Sequence, residues 1–113
     1  MLEIKPIQTK AEQKEICELC KVEFDADCLA YSAKEDGELL GVLQFRIFGE
    51  YAVIYNPANV MGTNDYEALA ATIKAARAFI YSCGVEEVLI QTDDKELLGA
   101  LTFKKDCGGG VRV

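Results

Sequence analysis

The sequence predicts a mixed α/β (α+β) domain over residues 1–113: a twisted mixed sheet with helices on both faces, in the order β-α-β-β-β-α-β-α-β. Three observations carry this reading. Residues 51–92 read as strand, long helix and second strand, the pattern of a parallel βαβ crossover. Ahead of them lie three alternating segments separated by Asp36-Gly37 and Gly49-Glu50, dipeptides suited to tight antiparallel turns. Two helix starts carry a capping box, a short polar residue with glutamate three positions on: Thr9 with Glu12, and Asn64 with Glu67.

In chain order, residues 2–7 form a short first strand near a sheet edge, because Pro6 has no N–H to give a central ladder. The first helix opens at Thr9 and runs to about Phe24, burying Ile16, Cys20 and Phe24 with Gln13 and Cys17 beside them. Residues 28–34 alternate as a strand with Leu29, Tyr31 and Ala33 on one face. The turn at residues 35–38 leads into a strand over 39–48, with Leu43, Phe45 and Ile47 on one face and Gln44 and Arg46 on the other. The fourth strand covers 51–56. Asn56-Pro57-Ala58-Asn59 then either bends that strand to open a cleft or simply ends it. The long helix spans 65–83, with Tyr66, Leu69, Ile73, Ala76, Ile80 and Cys83 as its apolar stripe and Gly84 as a left-handed stop. A strand over 86–92, a short helix over 95–101 and a strand over 102–105 follow. Residues 111–113 pair at an edge or fray.

At 113 residues, 50% hydrophobic and 27% charged, the chain is sized for one domain. No apolar run approaches the ~20 residues that cross a bilayer, and no signal-peptide pattern opens the chain, so no membrane role and a cytoplasmic location are expected. The five cysteines are then reduced thiols. A net charge of −7 with Lys104-Lys105 as the only basic pair argues against a nucleic-acid partner. The chain has no histidine, which removes Ser-His and Cys-His catalysis and histidine-ligated metals. No metal is expected.

The element order, with Tyr31-Ser32-Ala33-Lys34-Glu35-Asp36-Gly37-Glu38-Leu39-Leu40-Gly41-Val42-Leu43 as second hairpin and Gly84-Val85-Glu86-Glu87-Val88-Leu89-Ile90 as helix-to-strand passage, resembles the GNAT superfamily of acyl-CoA-dependent N-acetyltransferases. Leu101-Thr102-Phe103 stands where that family usually has Leu-Gly-Phe. The resemblance spans nearly the whole chain, as a single GNAT-like domain without the family's second helix between Phe24 and Cys28. It implies a three-layer fold, acetyl-CoA or another acyl-CoA as cofactor, a small-molecule amine as acceptor, and direct attack of the amine on the thioester.

The resemblance also implies site residues. The family's cofactor loop, Gln/Arg-x-x-Gly-x-Gly/Ala, falls on residues 60–65 or on 64–69; neither register supplies the first Arg or Gln or both small residues. The cofactor-binding residues implied are Val60, Met61, Gly62, Thr63 and Asn64. Asp65 and Glu67 place two carboxylates at the helix start, where they favour the helix dipole and oppose a pyrophosphate. The family's acidic tyrosine is replaced by Leu98. The base implied is Glu50, at the start of the fourth strand, or a water held by Tyr55 and Asn56.

Plainer readings stand beside these: a loop and cap for Gly62-Thr63, a solvated turn carboxylate for Glu50, packing for Tyr51 and Tyr55. A different class of function stays open, a catalytically inactive GNAT-fold module that binds a small ligand or forms a homodimer through an edge strand at 2–7 or the C-terminus. Cys17, Cys20 and Cys28 offer a thiol sensor, although a Cys-x-x-Cys mid-helix lacks the helix N-terminus that activates such thiols.

Overall fold

The computed structural model describes residues 1–92, 104–105 and 111–112. One sheet holds seven strands: β1 (Leu2–Pro6), β2 (Leu29–Glu35), β3 (Glu38–Ile47), β4 (Tyr51–Asn59), β5 (Glu87–Gln91), β6 (Lys104–Lys105) and β7 (Val111–Arg112). Their spatial order is β1-β2-β3-β4-β5-β7-β6. Helix α1 (Lys10–Leu19) follows β1, and α2 (Tyr66–Ser82) carries the chain from β4 to β5, the parallel neighbours. Among the described residues every other pairing is antiparallel. The segment at 111–112 lies inside the sheet beside β5, with 104–105 outermost, so the expectation of an edge there is corrected. The helix expected at 95–101, together with Leu98 and residues 101–103, lies outside the described residues. No described helix is long and apolar enough to cross a membrane.

Alternation along β3 assigns the layers. Leu43 and Phe45 point to α2, where Ile73, Ala76 and Ile80 join Ala52, Ile54, Val88 and Ile90 in the main core. Val42 points the other way, onto Ile16 and Cys20 at the end of α1. The two helices therefore cover opposite faces. Each fully buried Leu, Ile or Phe here contributes about 1.5–3 kcal/mol. Tyr31 stacks on Phe45 at 5.9 Å and Phe79 meets it edge-on at 5.8 Å, extending that core toward β2. The double coverage expected from the sequence is present. Gln44 is 4% exposed, because the face it shares with Val42 lies under α1.

The turns form as their residues require. Asp36 (φ +51°) and Gly37 (φ +86°) both adopt left-handed backbone, and Glu35 pairs with Glu38 across a two-residue loop. Gly49 (φ +84°) closes the next hairpin, where the Phe48 N–H donates to the Tyr51 carbonyl at 2.7 Å. The outer edge at β1 carries a Lys5–Glu3 ion pair at 2.9 Å and Pro6, features that oppose edge-to-edge pairing.

Helix ends hold the main departures from expectation. Thr9 caps α1 as expected, its Oγ1 accepting the Glu12 N–H at 3.1 Å. The helix stops at Leu19, about one turn before Phe24. Lys21 takes φ +58°, Val22 N–H donates to the Cys17 carbonyl and Lys21 N–H to the Glu18 carbonyl. That is a Schellman closure, built on a lysine where glycine usually stands. At the other helix, Asp65 and not Asn64 is the cap: its Oδ1 accepts the Ala68 N–H at 3.0 Å. Gly84 (φ +87°) ends α2 as expected, with Val85 N–H returning to the Ile80 carbonyl.

Cys17, Cys20 and Cys28 are buried and unbridged; Cys83 is exposed. The Cys17–Cys20 pair sits in the last turn of α1, not mid-helix, and the partial negative charge there disfavours a thiolate. Burial pushes Cys17 and Cys20 up to about 11, and burial with the Asp25 carboxylate beside it pushes Cys28 up to about 12. These are packed core thiols.

Three measurements check these elements. Asp65→Ala should destabilise the chain by about 1 kcal/mol while Asn64→Ala changes stability by less than about 0.5 kcal/mol; equal losses in urea unfolding would place the cap wrongly. A thiol reagent at neutral pH should modify Cys83 rapidly and Cys17, Cys20 and Cys28 only at the rate of unfolding, read by mass spectrometry. Because those three thiols hold their protons beyond the ordinary value of about 8.5, their contribution is whole below pH ~8. It is lost as pH rises toward 11–12, so the urea midpoint should stay level to pH ~8 and fall above ~9. Fast modification of Cys17 or Cys20 in the native chain would revive the sensor reading.

Candidate functional site

The site begins with a slip of register in β4. From Ile47↔Ala52 to Gln44↔Tyr55 the β3–β4 ladder is regular, and then Val42 faces Ala58. Asn56 and Pro57 together oppose Leu43, which makes a β-bulge, and Asn56 takes φ +42°. On its other side β4 pairs with β5 only as far as Tyr55↔Gln91. Pro57 has no N–H to offer a further bond, so the pairing ends where the bulge begins. The expected bend at Asn56-Pro57-Ala58-Asn59 is present, and the strand runs on through it to Asn59.

The space opened is a cleft of about 490 Å³, lined by residues 56–64, by Tyr66 and Leu69 of α2, by Thr92 just past β5, and by Lys21, Val22 and Glu23. That volume lies within the usual range for ligand sites, roughly 300–1,000 Å³. Val60, Met61, Gly62, Thr63 and Asn64, the five residues expected to bind a cofactor, all line it.

Asn59 fixes this loop, a role with no signal in the sequence. Its Nδ2 donates to the Leu40 carbonyl (3.1 Å) and the Asp65 carbonyl (3.2 Å), and its Oδ1 accepts the Asp65 N–H (3.0 Å). One carboxamide thus ties β3 to the start of α2. Gly41 permits the approach: a Cβ there would lie 2.8 Å from the Ala58 carbonyl oxygen and 2.9 Å from Leu69 Cδ2. Within the loop, Val60 N–H donates to Leu40, Thr63 N–H to Val60 and Met61 N–H to Leu19, the last residue of α1. Gly62 (φ +88°) and Asn64 keep N–H groups with no partner among the described residues.

The two carboxylates expected to oppose a pyrophosphate are not part of the cleft wall. Asp65 directs its Oδ1 at the Ala68 N–H, Glu67 is exposed, and neither lines the cleft. Lys21 does line it, and its side chain has no partner among the described residues. Composition could not reveal this, since the placement depends on the left-handed turn that ends α1.

A second cavity of about 370 Å³ adjoins the cleft, sharing Glu23 and Asn56 with it and lined also by Phe24, Asp25, Ala26, Cys28, Gln44 and Tyr55. Its wall at 23–25 is held by two buried amides. Gln13 Nε2 donates to Gln44 Oε1 at 2.8 Å and to the Asp25 carbonyl at 3.1 Å; Gln44 Oε1 also accepts the Asp25 N–H, and its Nε2 donates to the Glu23 carbonyl. Lys10 closes the network on Gln13 Oε1 and the Cys28 carbonyl. Tyr55 lies in this cavity with its phenol pushed above the ordinary value, by burial first and then by the neighbouring Cys28. It stays protonated at neutral pH.

Glu50 is placed elsewhere. It sits in the exposed turn before β4, six residues and about 20 Å of extended strand from Asn56, and lines neither cavity. Among the described residues no group of three or more cysteines and carboxylates is placed to hold a metal ion.

No protein-family model and no curated protein matches this chain in sequence. Solved structures do match it in shape. A ribosomal-protein-alanine N-acetyltransferase from Brucella melitensis biovar Abortus superposes with TM-score 0.74 at 14% identity, over 94% of each chain. A GNAT family acetyltransferase from Brucella melitensis, solved in complex with acetyl-CoA, gives 0.71 at 14% identity, over all of this chain and 87% of the other. An IAA acetyltransferase from Bacillus cereus gives 0.70 at 18% identity, over 89% of this chain and 73% of the other. Identities this low speak for architecture alone, and the architecture agrees in each case: this chain has the GNAT acetyltransferase fold.

Proposed function

We propose that the cleft beside the β4 bulge binds an acyl-CoA and that the protein is a GNAT-type N-acyltransferase acting on a small amine. The observation that carries this is the ending of β4–β5 pairing at Tyr55↔Gln91, which opens about 490 Å³ against the loop at residues 60–64 in a chain of this fold. The residues present fit such a ligand. Gly62 and Asn64 offer N–H groups, Lys21 offers a cation, and the capping carboxylate of Asp65 is engaged with its own helix. A match with one relative solved in complex with acetyl-CoA supports the same ligand.

Bound acyl-CoA would supply a thioester that a neutral amine attacks directly. The chain's own part is to hold the two reactants. Val60, Met61, Gly62, Thr63 and Asn64 form the cofactor wall, and the second cavity receives the amine beside Asn56. Tyr55, protonated at neutral pH, cannot serve as base itself. With Asn56 it orients a water that takes the amine's proton. Glu50, out in the β3–β4 turn, is the other residue proposed for that proton, and its distance from the cleft favours the water.

A second reading, binding without turnover, is favoured by one observation. The N–H groups of Val60, Met61 and Thr63 already bond within the protein, leaving fewer donors to hold a pyrophosphate rigidly. Calorimetric titration with acetyl-CoA at low salt tests the shared premise. Micromolar binding, about 8 kcal/mol, is expected, with a matching rise in melting temperature. No heat up to millimolar cofactor would remove the acyl-CoA reading altogether. Binding with no CoA release across a panel of amines would leave the non-catalytic module.

A further inference from the structure

We infer that Lys21, at the end of α1, is the cation that recognises the phosphates of the ligand in this cleft, a role the loop at residues 60–64 has no charged side chain to fill. The inference rests on the acyl-CoA reading above and extends it to a residue on a different wall of the cleft. Four observations converge. Lys21 lines the cleft. Its ammonium has no protein partner among the described residues, although Glu23 lines the same space. Its backbone is held at φ +58° by the left-handed turn that ends α1, which fixes position 21 on the wall of the cleft. The Met61 N–H bond to the Leu19 carbonyl, at 3.4 Å, ties the end of α1 to the loop beside Gly62. Position 21 therefore lines the same cleft as the two open N–H groups, Gly62 and Asn64, that an anion would also use.

The chemistry selects a phosphorylated ligand over its uncharged portion. Lys21 is a point charge on a flexible stem, suited to a phosphate and indifferent to an amide or thioester. The cleft should then distinguish coenzyme A from pantetheine, which lacks the phosphates and retains the thiol arm.

The test compares wild type with Lys21→Gly, Lys21→Glu and Lys21→Arg by calorimetry at low salt, with CoA and pantetheine as probes. Lys21→Gly suits the left-handed backbone, so its melting temperature should equal or exceed that of wild type, which separates binding from folding. Expected is a loss of about tenfold or more in CoA affinity for Lys21→Gly and a larger loss for Lys21→Glu. Lys21→Arg should retain affinity, and pantetheine binding should be the same in all four. A wild-type protein that binds CoA no more tightly than Lys21→Gly overturns the Lys21 role and leaves the acyl-CoA reading standing. Equal weakening of CoA and pantetheine would show that the residue only shapes the loop, and also overturns it. Failure of the wild type to bind CoA sinks both.

Discussion

The site depends on the bulge at Asn56-Pro57. Sheet strands gain by pairing along their whole length, and a regular β4 would continue its ladder with β5 past Tyr55. Left-handed Asn56 breaks that course, at a local cost of about 1–2 kcal/mol. Pro57 then withholds the N–H that the next parallel bond would need. On the β3 side the ladder recovers at Val42↔Ala58 and Gly41↔Asn59, so the strand stays anchored on one edge while it leaves the other. The cleft follows from that asymmetry, and the conformation persists because buried Pro57 and the close Gly41–Ala58 approach over-determine it.

Two polar clamps then hold the walls. Asn59 binds the chain entering α2 to the Leu40 carbonyl, and the Gln13–Gln44 pair binds residues 23–25 to the opposite face of the sheet. Gln13 and Gln44 are 2% and 4% exposed, and no buried side-chain polar atom among the described residues lacks a partner. In such surroundings an amide with one partner removed costs about 1–3 kcal/mol, so these networks tolerate one geometry and few others. They give irregular segments the rigidity that strands and helices get from their own ladders.

What the sequence makes legible, and what it hides, divides along the same line. The Asp36-Gly37 turn, the Thr9 cap, the Gly84 stop and the βαβ order are each encoded within a few residues, and each is present in the structure. Departures arise where a distant group decides. Asn64 and Asp65 are both competent caps, and the carboxamide of Asn59 selects Asp65 by gripping its N–H and carbonyl. Phe24 matched the spacing of the first helix, but a lysine in left-handed conformation ended it at Leu19. Alternation set Gln44 opposite Leu43 and Phe45 but carried no sign of the buried amide network that it forms with Gln13 under α1. Residues 60–64 carry no phosphate-loop glycines beyond Gly62, so only the order of elements pointed to them. Lys21 was invisible as a site residue, its position being a product of the turn that holds it.

Charge placement gives these pieces a common sense. The N-terminus of a helix ordinarily attracts anions, and in α2 Asp65 has already answered that attraction with its own carboxylate. The helix start is self-satisfied, which leaves an anion the N–H groups of Gly62 and Asn64 on that side. The C-terminus of α1 has the opposite polarity and favours a cation, worth about 0.3–1 kcal/mol, which offsets part of the strain at Lys21. The same pairing of helix end and side-chain charge thus removes an anion's partner from one wall of the cleft and supplies one on the other. In a chain of net charge −7, Lys21 is the one cation among the described residues that line the cleft, in a field that otherwise repels phosphates. Under the proposed reading, specificity for a phosphorylated ligand comes from the joint between α1 and the loop, made by Met61 and Leu19, and much less from the loop's own composition.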